Sequence, residues 1–129
     1  MNITKISTAL ATVALTATLS AAPASASSDS CSGRPSGTYC VTTFGSAPGY
    51  LYPASGTDKM FQGYLYAGNN YVYCRAWGPE KRVGSDYNHY WLWTTLDSTG
   101  NNGWVSAYYL SNWGNDQAKD NSGREIKDC

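Results

Sequence analysis

From Tyr39 to Ser106 the chain is cut into short runs in which apolar and aromatic residues recur at every second position. Each run ends in a cluster of Gly, Pro, Asn, Asp or Ser. Tyr39–Phe44 stops at Gly45-Ser46-Ala47-Pro48-Gly49, and Tyr50–Tyr52 stops at Pro53. Met60–Tyr66 stops before Gly68-Asn69-Asn70, Tyr71–Trp77 at Gly78-Pro79, and His89–Leu96 at Asp97–Asn102, with Gly103–Ser106 the last run. A helix needs a stripe recurring every three or four residues, and none is present, whereas alternation with frequent turns is the pattern of strands. In Tyr71–Trp77 the alternation sets Val72, Cys74 and Ala76 against Tyr71, Tyr73, Arg75 and Trp77. In His89–Leu96 it sets Tyr90, Leu92, Thr94 and Leu96 against Trp91, Trp93 and Thr95. The fold class expected is all-β: a small antiparallel barrel or sandwich of 5–6 short strands over residues 39–112.

The flanks differ from this middle. Residues 1–26 carry the parts of a secretory signal: Lys5, the apolar stretch Ile6–Leu19, and Ala24-Ser25-Ala26 as a small-residue cleavage site. The apolar stretch is shorter than the ~20 residues a membrane span needs. The mature chain is therefore expected to run from Ser27 to Cys129, outside the cell and off the membrane. Residues 27–38 have no periodicity and read as a flexible or disulfide-tethered arm, and 113–129 as a polar tail. Cys31, Cys40, Cys74 and Cys129 all fall in the mature part. An even count in a small exported chain implies two disulfides, with three connectivities open. One of them joins Cys31 to Cys40 and ties Cys74 to the tail at Cys129.

Charge and catalytic chemistry narrow the function. Lys+Arg 9 against Asp+Glu 9 gives no long-range attraction for nucleic acid or an anionic surface. No cysteine or histidine spacing fits a zinc site, and no cofactor is implied. Glu80 and Glu125 are the only glutamates and form no glycosidase pair; Glu80, in Pro-Glu-Lys-Arg, reads as an exposed turn. His89 with Asp86 lacks an accompanying nucleophile motif and reads as a satisfied loop histidine. No enzyme is expected. Eleven Tyr and five Trp exceed what one small core takes up, so several rings must face solvent.

Gly103-Trp104-Val105-Ser106-Ala107-Tyr108-Tyr109-Leu110 resembles the closing motif of bacterial SH3-type (SH3b) domains, where a G-W-V strand leads into a 3₁₀ turn ending in Tyr-Leu. Leu65–Val72 resembles the family's step into its central strand, and Trp91-Leu92-Trp93-Thr94 its Trp-led strand. Gly49-Tyr50-Leu51-Tyr52-Pro53 stands where the family has its opening motif, but that motif's Asn, Arg and Gly-Pro are missing. The similarity covers about residues 47–112, and freestanding exported examples are of actinobacterial type. It implies an SH3-like barrel with a ligand groove lined by Tyr50 or Tyr52, Trp91, and Tyr108 or Tyr109. The acceptor-rich loop Asp86-Tyr87-Asn88-His89-Tyr90 would border that groove. Rigid rings offer contact area at low entropic cost, which suits peptides and sugars. Trp104 is expected in the core, while Trp91 and Tyr109 fit either place. The function implied is a secreted module binding cell-wall peptidoglycan at its peptide stem or cross-bridge. The alternative is an adaptor or small subunit of a secreted protein assembly, an antagonistic one included.

Overall fold

The computed structural model describes residues 31–54 and 60–129. The expected signal segment, 1–26, and the first residues of the expected arm lie outside the described residues. The described residues are all-β, with seven strands among them: β1 (Tyr39–Thr43), β2 (Ala47–Tyr50), β3 (Phe61–Leu65), β4 (Gly68–Val72), β5 (Cys74–Val83), β6 (Asp86–Thr95) and β7 (Asn102–Ser106). A 3₁₀ turn, Ala107–Tyr109, follows β7. β1 and β4 pair antiparallel as a two-stranded sheet. The other five form an antiparallel sheet in the order β3-β2-β7-β6-β5.

These sheets do not close into the barrel expected. At Tyr73 the chain leaves the small sheet for the large one, and its N–H donates to the Trp93 carbonyl at 2.8 Å. On the other side, β1 meets the segment after the 3₁₀ turn through an isolated bridge, Thr43↔Leu110, instead of a ladder. The outer edge of β3 is capped by the β6–β7 turn. Tyr64 N–H donates to Ser98 Oγ, Ser98 N–H to the Tyr64 carbonyl, and Thr99 Oγ1 to the Gln62 carbonyl. A loop thus satisfies the edge groups that barrel closure would have paired.

Three differences from the expected strands have physical causes. Tyr71–Trp77 is two strands, because Tyr73 is the crossing point between sheets. Pro48-Gly49 is strand, not turn: a Cβ on Gly49 would lie 2.6 Å from the Leu96 methyls, so the missing side chain makes room for a core leucine. Gly78-Pro79 does not end its strand either. The β5–β6 register shifts between Trp77↔Tyr90 and Lys81↔Asn88. The surplus residues ride in a bulge, where proline's missing donor costs no ladder bond.

Two buried clusters result. Val41, Val72, Leu92, Ala107 and Leu110 join Ala118 and Ile126 of the tail, and Ala47, Leu65, Leu96 and Val105 form the second. Leu92, Thr94 and Leu96, which the alternation sets on one face, are all buried, but Trp91 on the opposite face is buried too. Trp104, expected in the core, is half-buried and packs against Trp93 with ring centroids 5.1 Å apart. Its strand partners place both rings on the outer face of β6 and β7.

Cys31 is bonded to Cys40 and Cys74 to Cys129, consuming all four sulfurs. Such bridges fit an oxidising, extracellular-type environment. The second holds the tail along β5, where Arg75 N–H donates to the Lys127 carbonyl and Cys129 N–H to that of Arg75. The Arg75 guanidinium meets Glu125 at 2.7 Å and lies over the Tyr90 ring. Buried Asp120 organises the tail's turn, accepting from Ser122 and Arg124. Among the described residues no helix is long and apolar enough to cross a membrane.

Candidate functional site

The 3₁₀ turn builds the centre of the site. Ser106 caps it by accepting the Tyr108 N–H at 3.1 Å, which fixes the orientation of the two tyrosines that follow. Phe44, at the end of β1, is anchored by its own N–H donating to the Tyr109 carbonyl. Its ring lies 5.4 Å from Tyr108 and 5.6 Å from Tyr109, and those two rings are 5.0 Å apart and nearly perpendicular. Phe44–Tyr108 and Tyr108–Tyr109 pack edge to face, while Phe44 and Tyr109 are tilted by 36°. The result is a three-ring cluster whose Phe44 is 55% exposed.

A hollow opens on each side of the cluster. The larger, about 200 Å³, is bounded by Phe44, Tyr108, Tyr87, Trp113, Asp86 and Asn88, among others. The smaller, about 20 Å³, lies among Tyr50, Tyr109, Trp91, Lys81, Pro48 and Ala54. That size admits the centre of one water- or methyl-sized group. Lys81 lines the smaller one, with its Nζ 5.9 Å from the Tyr108 ring and 5.7 Å from the Tyr109 ring. Burial raises the Tyr50 phenol above its ordinary value of 10.0, and Tyr109 and Tyr64 nearby raise it further. Burial and Tyr64 do the same for Tyr109. These hydroxyls therefore stay protonated, and able to donate, at neutral pH.

The site residues expected from sequence divide as follows. Tyr50, Trp91 and Tyr109 converge on the small hollow, and Tyr87 and Tyr108 on the large one. Tyr52 is 61% exposed and borders neither. Trp91 is no open platform: it is 1% exposed, and its indole N–H donates to the Pro79 carbonyl at 2.9 Å. The β5 bulge folds over it, with Gly78 close enough that a Cβ would sit 3.0 Å from the ring. Trp91 thus supplies a wall of the hollow and not its rim. The segment Asp86–Tyr90 belongs to strand β6 and is not a loop, and Asp86, Tyr87 and Asn88 border the large hollow.

His89 does not pair with Asp86. Both its backbone N–H and its Nδ1 meet Asp116 Oδ1 at 2.9 Å, and its ring stacks on Trp77 at 4.6 Å and 6°. Glu80 lies within β5, paired with Arg82 at 2.8 Å. Sequence reasoning missed Phe44, Lys81 and Trp113. Phe44 closes a strand-like run, Lys81 sits in the stretch taken as an exposed turn, and Trp113 stands alone in a polar tail. The Phe44-to-Tyr109 proximity had no local signal. Compared with protein families, curated proteins and solved structures, the chain matches none of them.

Proposed function

We propose that this chain is an exported, non-catalytic binding module of SH3-like type that recognises the peptide part of bacterial cell-wall peptidoglycan. The observation carrying this reading is the Phe44–Tyr108–Tyr109 cluster with a hollow on either side. An extended peptide can lie across such rings with alternate side chains entering the hollows. Support for the SH3-like type comes from the Gly103–Leu110 motif. Its G-W-V part lies in β7 and leads directly into the 3₁₀ turn that carries the two tyrosines. The leader-like residues 1–26 and the two disulfides favour an extracellular site of action. Near-neutral charge leaves stacking and hydrogen bonding as the main sources of affinity.

The test is co-sedimentation of the mature protein, Ser27–Cys129, with purified sacculi at low and high salt. The protein is expected in the pellet at both salts, and Tyr108→Ala is expected to leave more of it in the supernatant. Wild-type protein remaining in the supernatant throughout would refute the assignment.

A further inference from the structure

We propose that the groove is a two-charge clamp for the free carboxyl end of a short peptide bearing a nearby amine. Lys81 takes the terminal carboxylate, the small hollow takes a small side chain such as a methyl group, and Asp86 takes the amine. This deepens the reading above and rests on it for the identity of the groove.

The charges of this protein are mostly spent internally. Arg75, Arg82, Lys119 and Arg124 each reach a carboxylate within 4.0 Å. Lys81 does not; among the described residues its ammonium faces only the rings of Tyr108 and Tyr109. Asp86 likewise takes part in no ion pair among the described residues, while Asp116, Asp120 and Asp128 each do. A cation and an anion left unengaged beside one aromatic groove are available to a ligand. The hairpin register puts them on one face, since Lys81 lies opposite Asn88 and Val83 opposite Asp86. Their backbones are then roughly 8 Å apart, from about two residues along the strand and one strand spacing across. Two extended peptide residues span about 7 Å.

The small hollow adds selectivity. Lys81 stands at its mouth beside the protonated phenols of Tyr50 and Tyr109, which are donors suited to a carboxylate. Its small volume suits a side chain of about methyl size. The ligand class is therefore a peptide ending in alanine or glycine with a free carboxylate, preceded closely by a lysine-like amine.

The experiment is calorimetric titration of the mature protein with N-acetyl-lysyl-D-alanyl-D-alanine. Three modified peptides accompany it: the C-terminal amide, the form acetylated on the lysine amine, and the form ending in D-valine. The amide and the acetylated form are each expected to bind about tenfold or more weaker, the range of a hydrogen bond to a charged group, and the D-valine form is expected to bind weaker than the parent because its side chain is larger. Lys81→Gln should abolish the difference between acid and amide, and Asp86→Asn that between amine and acetylamine. Because the peptide modifications leave the protein intact, they read the site independently of any variant's folding. Equal affinity for acid and amide in the wild type overturns the clamp, as does an acid–amide difference that survives in Lys81→Gln. Sacculus binding without tripeptide binding also overturns it, while leaving the wall assignment standing. The expected peptide pattern without sacculus binding upholds the clamp and refutes the wall assignment.

Discussion

Replacing Cys74 and Cys129 together by alanine should cost more stability than replacing Cys31 and Cys40, and the difference follows from loop length. The first bridge spans 55 residues and the second 9. Chain entropy assigns about 4 kcal/mol to a closed loop of the first length and about 2.5 kcal/mol to the second. The tail is also held by other contacts. Ile126 is fully buried, Arg75 meets Glu125 at 2.7 Å, and backbone bonds join Arg75 to Lys127 and Cys129. The native tail should therefore remain docked without its covalent link, and the loss arises in the unfolded chain. Guanidinium unfolding followed by tryptophan fluorescence, alongside a thermal melt, measures both pairs. For a domain of this size each kcal/mol moves the melting temperature by roughly 4–8 °C. The Cys74/Cys129 variant should thus melt roughly 15–30 °C lower, still in one cooperative transition. An equal or smaller loss than that of the Cys31/Cys40 variant would refute the loop argument. A separate early transition would refute the claim that noncovalent contacts hold the tail.

Trp91→Phe removes the indole N–H and leaves the Pro79 carbonyl without its partner, so it should cost about 1–3 kcal/mol in denaturant unfolding. Asp120→Asn should cost about 1–3 kcal/mol at neutral pH, since the carboxylate accepts from Ser122 and Arg124. Burial alone would raise that carboxyl, but the bonds from Ser122 and Arg124 hold it below its ordinary 3.8. Its contribution is thus complete above the unfolded value and lost as pH falls through the lower folded one. The gap between wild type and Asp120→Asn should accordingly close on acidification below about pH 4, and a gap constant down to pH 2 would contradict the assignment.

The strands were legible wherever alternation met a one-sided core. Leu92, Thr94 and Leu96, which the alternation set on one face, are all buried, Leu92 in the first cluster and Leu96 in the second. Legibility failed where a tertiary contact overrode a local signal. Pro48-Gly49 has turn chemistry, yet Leu96, nearly fifty residues later, needs the space that Gly49 leaves. Gly78-Pro79 has the same chemistry, and a bulge absorbs it. The site shows the same division. The resemblance offered Tyr50 or Tyr52 and Tyr108 or Tyr109, and the structure sets Tyr50 and Tyr109 beside the small hollow and Tyr108 beside the large one. Phe44 had no such signal, because a backbone bond to Tyr109 across the fold brings it there. Trp91 was read on the correct strand, but its exposure depended on the bulge above it.

That bulge also sets the polarity of the groove. Between the pairs Trp77↔Tyr90 and Lys81↔Asn88, Gly78, Pro79 and Glu80 on β5 oppose His89 alone on β6. The excess is even, so the alternation of the hairpin emerges in phase: Lys81 and Asp86 share the Asn88 face, and Arg82 and Tyr87 share the other, with the guanidinium 4.6 Å from the tyrosine ring. An excess of one residue would have turned Lys81 away from the two tyrosines and brought Arg82, already paired with Glu80, toward them. The Gly-Pro pair, which in sequence looks like the end of a strand, thus has two structural consequences. It closes over the Trp91 indole to form a wall of the small hollow, and it brings an unpaired ammonium to that hollow's mouth. The carboxylate selectivity proposed for the groove rests on this phase as much as on the residues themselves.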